Sequence, residues 1–169
     1  MRPWQTLPTH RSWLDDECRR LLGFGRHAAL ADGGAAYLDD DGIPDLSRGV
    51  QTWITARTVH VYSLGALLGV PGSTEIAAGA LAGLTGVLRD AESGGWHHAL
   101  TEQGAPDVGA GKSCYDHAFV LLASSSATLA GIPGARDLLG EATGVFLERF
   151  WDDKAGRCVD EWDTSWSVV

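Results

Sequence analysis

The chain has 169 residues, 44% of them hydrophobic and 21% charged, an ordinary globular composition with enough apolar material for one core of normal size. Its net charge of −9 excludes the basic face that a phosphate backbone or an anionic membrane surface demands, so neither nucleic acid nor membrane is expected as a partner. Its three cysteines, Cys18, Cys114 and Cys158, lie far apart with no Cys-x-x-Cys pair, which fits reduced, mostly packed thiols better than a disulfide framework or a zinc knuckle.

The opening stretch "MRPWQTLPTHRS" lacks the apolar run of a signal peptide, and no uninterrupted apolar stretch approaches the roughly 18 residues of a membrane span; a cytoplasmic location is the expectation. Apolar periodicity predicts a first helix over about 12–31, with Trp13, Cys18, Leu21, Leu22 and Leu30 its apolar positions and "DDECRR" exposed. A second runs over about 50–68 and stops at Gly69, with Pro71 just beyond. A third begins after a Ser73 cap and continues through "IAAGALAGLTGVLRDA". A fourth spans about 112–130, followed by Gly131 and Pro133, and a fifth about 135–151. The connecting pieces "DGGAAYLDDDGIPD", "SGGWHHALTEQGAPD" and "DDKAGRCVDEWD" read as short hairpins or irregular loops.

The chain repeats itself. "LLGVPG" at Leu67 returns as "LAGIPG" at Leu129, 62 residues later, and the same offset carries Leu84 to Phe146, Asp90 to Asp152 and Gly94 to Gly156. A helical hairpin plus a loop that recurs in this way cannot bury its apolar faces alone and must stack on neighbours. A closed ring of six such hairpins needs about 372 residues, so this chain supplies fewer than three units.

The repeat also aligns chemistry, because Trp53 falls on Tyr115 near the start of equivalent helices. Trp53, Arg57 and His60 share one face of the second helix, on a helix otherwise greasy at Ile54, Val61, Leu64 and Leu68. Arg57 has five donors in a rigid fork, and the aromatics offer flat faces with polar tips. Each has a bland competitor: a packed or ion-paired arginine, and core aromatics. Repeat equivalence and the shared face favour binding over packing.

His60, a turn deeper, reads as a structural histidine hydrogen-bonded inside the array, with substrate contact as the alternative. His117 lies two residues from Tyr115 and so points away from that face, towards a packing role. His97, His98, Cys114 and His117 lack the paired spacing of a zinc site, so no metal or other cofactor is expected. "DDDG" at 39–42 lacks the ligand order and closing glutamate of a calcium loop and reads as a solvated turn.

Four ordered stretches, "WITARTVHVYSLGALLGVPG", "GGWHHALTEQGAPD", "KSCYDHAFVLLASSSATLAGIPGA" and "LERFWDDKAGRCVDEWDTSW", together resemble the amino-terminal part of the N-acylglucosamine 2-epimerase superfamily, nearest its mannose isomerase branch. The resemblance implies an all-α fold, a partial (α/α)6 barrel comprising the first five to six helices, with all of residues 1–169 in one barrel domain. It places helices two and four in an inner ring and one, three and five in an outer ring, with a monosaccharide bound at one end of the cavity.

It maps Trp53, Arg57 and Tyr115 onto substrate-binding positions, with His60 and His117 as lesser candidates. It also implies that the acid and base are two histidines of the later barrel, beyond Val169, so that none of this chain's residues is catalytic. The implied reaction is mannose–fructose isomerisation through an enediol. The alternatives are a non-catalytic sugar-binding half-barrel, assembling as a homo-oligomer or with a complementing chain, and an (α/α)6 glycoside hydrolase or lyase. The last would need two facing carboxylates, and among the inner-helix positions Asp116 stands alone.

Overall fold

A Leu-Pro step opens the first helix: Pro8, with φ already fixed, sits at its first position, and α1 (Pro8–Phe24) starts earlier than apolar periodicity alone predicts. It also ends earlier. A 3-10 turn at Gly25–His27 breaks it, and residues to 36 run as irregular chain under the later helices. The structure is a computed structural model that describes residues 3–167.

Among the described residues, four further α-helices follow: α2 (Thr52–Leu67), α3 (Ser73–Thr85), α4 (Cys114–Leu129) and α5 (Ala135–Val145). Their starts repeat at the 62-residue offset read from the sequence, Thr52 to Cys114 and Ser73 to Ala135. Leu68 and Ala130 end the two inner helices in the same way, with Gly69 (φ 71°) and Gly131 (φ 73°) just beyond, a left-handed step that lets the chain reverse into the next helix. Ser73 is not the cap expected of it: Gly72 holds that position, and the Ser73 side chain instead packs where α3 crosses α2 at Gly65. α5 is shorter than predicted, because it passes into a π-helical turn at Phe146–Phe150 before the chain extends at Trp151.

Between helices the chain forms two-residue antiparallel strands. β1 (Tyr37–Leu38) pairs with β2 (Pro44–Asp45) as a hairpin around the "DDDG" turn, where Asp39 Oδ1 accepts from the N–H groups of Asp41 and Ile43. β3 (Val50–Gln51) pairs with β4 (Ala99–Leu100), and 62 residues on β5 (Lys112–Ser113) pairs with β8 (Glu161–Trp162). β6 (Trp151–Asp152) and β7 (Arg157–Cys158) close a further hairpin. The β3 and β5 strands run straight into α2 and α4, so each long-range pairing fixes where an inner helix begins.

α2 packs on both α3 and α4, and α4 on α5. The seams are alanine-rich, with Ala56, Ala77, Ala80, Ala123 and Ala127 buried beside Val59, Leu81, Leu84 and Val120, which lets the helix backbones approach closely. Trp96, fully buried, fills the space beneath and donates its indole N–H to the Leu84 carbonyl at 2.7 Å. Cys18 and Cys114 are half-buried as expected, whereas Cys158 is exposed on β7. No helix among the described residues is long and apolar enough to cross a membrane.

Candidate functional site

Because β3 and β5 start α2 and α4 at equivalent places, Trp53 and Tyr115 emerge side by side, their ring centroids 6.2 Å apart in an edge-to-face arrangement. Tyr115 also meets Phe119 edge-on at 4.9 Å, and Trp53 meets Tyr37 of β1 at 5.7 Å. Four aromatic rings thus run in a row, Tyr37 from β1, Trp53 from α2, and Tyr115 and Phe119 from α4.

Arg57 lies within that row. Its guanidinium carbon is 4.3 Å from the Phe119 ring centre, 4.6 Å from Trp53 and 5.8 Å from Tyr115, and its Nη2 donates to the Tyr115 hydroxyl at 2.7 Å. Among the described residues it forms no ion pair with a carboxylate. The ion-paired reading is thereby removed. What stands is a cation set among three rings, with most of its donors uncommitted among the described residues. Tyr115 is 50% exposed, so the face opens outward. Beside it a cavity of about 300 Å³ is lined by Ala36, Tyr37, Ile54, Arg57, Val61 and Tyr62.

Trp53 is fixed by a residue the sequence did not single out. Gln51 Oε1 accepts the Trp53 indole N–H at 2.7 Å and the Tyr37 hydroxyl at 3.1 Å, while the Arg48 guanidinium carbon sits 3.7 Å over the Tyr37 ring. Phe119 had a signal in the repeat, since it aligns with Arg57, whereas Gln51 aligns with Ser113, which nothing in the sequence marked.

The two secondary candidates lie apart from the open face. His60 Nδ1 bonds the Ser126 hydroxyl at 2.6 Å, tying α2 to α4 one turn deeper. His117 is almost fully buried among Trp96, Phe150 and Trp166; its Nδ1 meets the Ser113 carbonyl at 2.8 Å and its Nε2 accepts the Trp96 N–H at 3.2 Å. Burial pushes its pKa down to about 4, so it is a neutral acceptor at ordinary pH.

Nearby groups are likewise engaged in the fold. Asp116 is fully buried; its Oδ2 takes the Ser113 hydroxyl at 2.6 Å and His98 Nδ1 at 2.7 Å, and burial raises its pKa despite those partners. It presents no surface to a substrate. Lys112, also buried, donates to Asp90 Oδ2 and the Gly94 carbonyl, both at 2.6 Å, and lies 4.4 Å from the Trp166 ring centre. Burial works to raise the Asp90 pKa, but the Lys112 ammonium and the Ser93 and Glu92 N–H groups together hold it low. Among the described residues no set of three His, Cys, Asp or Glu side chains is placed to hold a metal ion.

Residues 33–169 match the model of the N-acylglucosamine 2-epimerase family. A D-mannose isomerase of Thermobifida fusca is 46% identical over 166 residues, covering 98% of this chain and 40% of the relative. One of Pseudomonas cannabina pv. alisalensis is 39% identical over 165 residues, covering 97% and 39%. The solved cellobiose 2-epimerase of Spirochaeta thermophila DSM 6192 superposes with a TM-score of 0.82 at 25% identity, over 98% of this chain and 43% of its own. The helical arc therefore has the architecture of the (α/α)6-barrel sugar epimerases and isomerases, and spans about two fifths of the length of these relatives.

Proposed function

The chain belongs to the N-acylglucosamine 2-epimerase family, whose members are carbohydrate epimerases and isomerases, and on that premise we propose that residues 1–169 form the amino-terminal, substrate-gripping part of a barrel that interconverts D-mannose and D-fructose. The observation that carries the reading is Arg57, a guanidinium braced on Trp53, Phe119 and Tyr115 with no carboxylate partner among the described residues. An arginine so placed has donors free for sugar hydroxyls or for the oxygen that turns negative as an enediol forms. Trp53 and Tyr115 supply the flat walls. The identity to two proteins named D-mannose isomerase supports mannose as the substrate.

Isomerisation starts with removal of the proton next to the carbonyl, and a histidine with a pKa near working pH can do this without a metal. In this reading the acid and base are histidines of the remaining barrel. His60 and His117 are committed to Ser126 and to the Trp96–Ser113 backbone and serve the wall's rigidity.

The test is Arg57→Ala in a polypeptide that carries this chain together with the rest of the barrel. Mannose–fructose interconversion should fall by about 10²-fold or more, the scale set by loss of one preorganised charge-stabilising donor, with a melting temperature close to that of the parent. Equal loss of activity and stability would return Arg57 to a packing role and remove the proposal's support. The 169-residue chain alone should bind mannose and release no fructose.

A further inference from the structure

The internal repeat provides a built-in comparison for each position. Ser113, just before α4, caps that helix: its hydroxyl accepts from the Asp116 N–H at 3.1 Å. The equivalent residue before α2 is Gln51, which makes no side-chain cap at all. Such a bond satisfies one of the N–H groups that the first turn of a helix leaves unpaired. At Gln51 the side chain turns instead to the aromatic row, where its Oε1 accepts two donors, the Trp53 indole N–H at 2.7 Å and the Tyr37 hydroxyl at 3.1 Å.

The indole can only donate, so it dictates which end of the carboxamide faces it. The Gln51 backbone is itself held by pairing with Ala99 in β4. A rigid strand thus holds a rigid acceptor, and that acceptor sets the rotation of the Trp53 ring. Trp53 in turn supplies the face on which Arg57 rests, and Tyr37 closes the end of the row.

We infer that Gln51 is a positioning residue for the sugar site: it gives up capping α2 in order to fix the tilt of Trp53 and to tie the β1 hairpin, through Tyr37, to that wall. The inference rests on the sugar-binding reading of the Trp53–Arg57–Tyr115 face. It adds that the seat is set from behind, by a residue that need not touch the ligand. It also predicts that capping and positioning separate at this residue, because removal of the carboxamide removes no helix cap.

The experiment uses the 169-residue chain with D-mannose as probe. In ¹H–¹⁵N spectra the Trp53 indole resonance, identified by its loss in Trp53→Phe, should move in Gln51→Leu. Mannose affinity should weaken about three- to tenfold, the value of one hydrogen bond, with the melting temperature within a few degrees of the parent. Gln51→Glu, which keeps an acceptor in reach, should restore both resonance and affinity. Should Gln51→Leu fail to fold, Gln51→Ala, which withdraws the acceptor without offering a helix cap, gives the same reading. An unmoved indole, or undiminished mannose binding in a folded Gln51→Leu chain, overturns the inference and leaves the sugar site standing. A parent chain indifferent to mannose, with an indole that still moves in Gln51→Leu, overturns the sugar site and the inference with it.

Discussion

At the scale of single residues, the chain separates its polar groups into those that hold the fold and those that face outward. Arg57 shows the second kind, a cation kept in place by rings instead of by an opposite charge. His117 shows the first. Its folded pKa, about 4, lies below the ordinary 6.5, so the folded state binds fewer protons than the unfolded one. The stability it contributes is fully present above about pH 6.5 and is lost as pH falls through that value towards 4, up to about 3 kcal/mol. His97, also lowered by burial, adds in the same direction, whereas Asp116, raised by burial, works against it. Urea unfolding at pH 7 and at pH 4.5 should therefore give a markedly lower free energy in acid, and His117→Gln should flatten that dependence. The role of His117 was readable from its two-residue spacing to Tyr115, which turned it off the open face. Gln51 was not readable, because a glutamine before a helix is unremarkable until Trp53 and Tyr37 are seen to share its oxygen.

At the scale of elements, the helices were legible and so were the β1–β2 and β6–β7 hairpins, which fall in or beside pieces read as short hairpins or loops, but the long-range strand pairs were not. A 3.6-residue apolar period over sixteen positions is a strong signal, and α2 and α4 lie within two residues of their expected ends. Strands of two residues carry no period, and their partners lie some fifty residues away in sequence. A trace of them does exist in the glycines. Gly49 and Gly111, 62 residues apart, both adopt φ 66°, and a Cβ at either would overlap a carbonyl oxygen of the paired strand region, Leu100 for Gly49 and Trp162 for Gly111. Gly49→Ala and Gly111→Ala should each destabilise the chain by about 1–3 kcal/mol or more, because their ψ values of −168° and −153° at positive φ lie in a region that essentially only glycine enters, and the overlap must be relieved as well. Gly140→Ala, on an open face of α5, should have little effect or stabilise slightly. Denaturant midpoints of the three variants check this, and equal effects would mean that the strand pairs do not set where α2 and α4 begin.

At the scale of the whole molecule, the helical hairpins form an arc with apolar surface on its flank: Trp13, Leu14, Leu21, Val61, Leu64 and Leu68 are all exposed where α1 meets α2. A full turn of such hairpins buries faces like these against one another, and this chain spans about two fifths of its relatives. The arc was legible as an array because the 62-residue repeat is visible in the letters themselves. The row of rings was legible only in part, since Tyr37 comes to it from β1, an element whose place beside α2 the spacing does not show. That row is the proposed seat of the sugar. A titration of the isotope-labelled chain with D-mannose addresses it most directly: the shifts should be largest at the Trp53 indole and the Arg57 guanidinium, and small on the α1–α2 flank. Shifts confined to that flank, or no response at concentrations that saturate a weak sugar site, would contradict it.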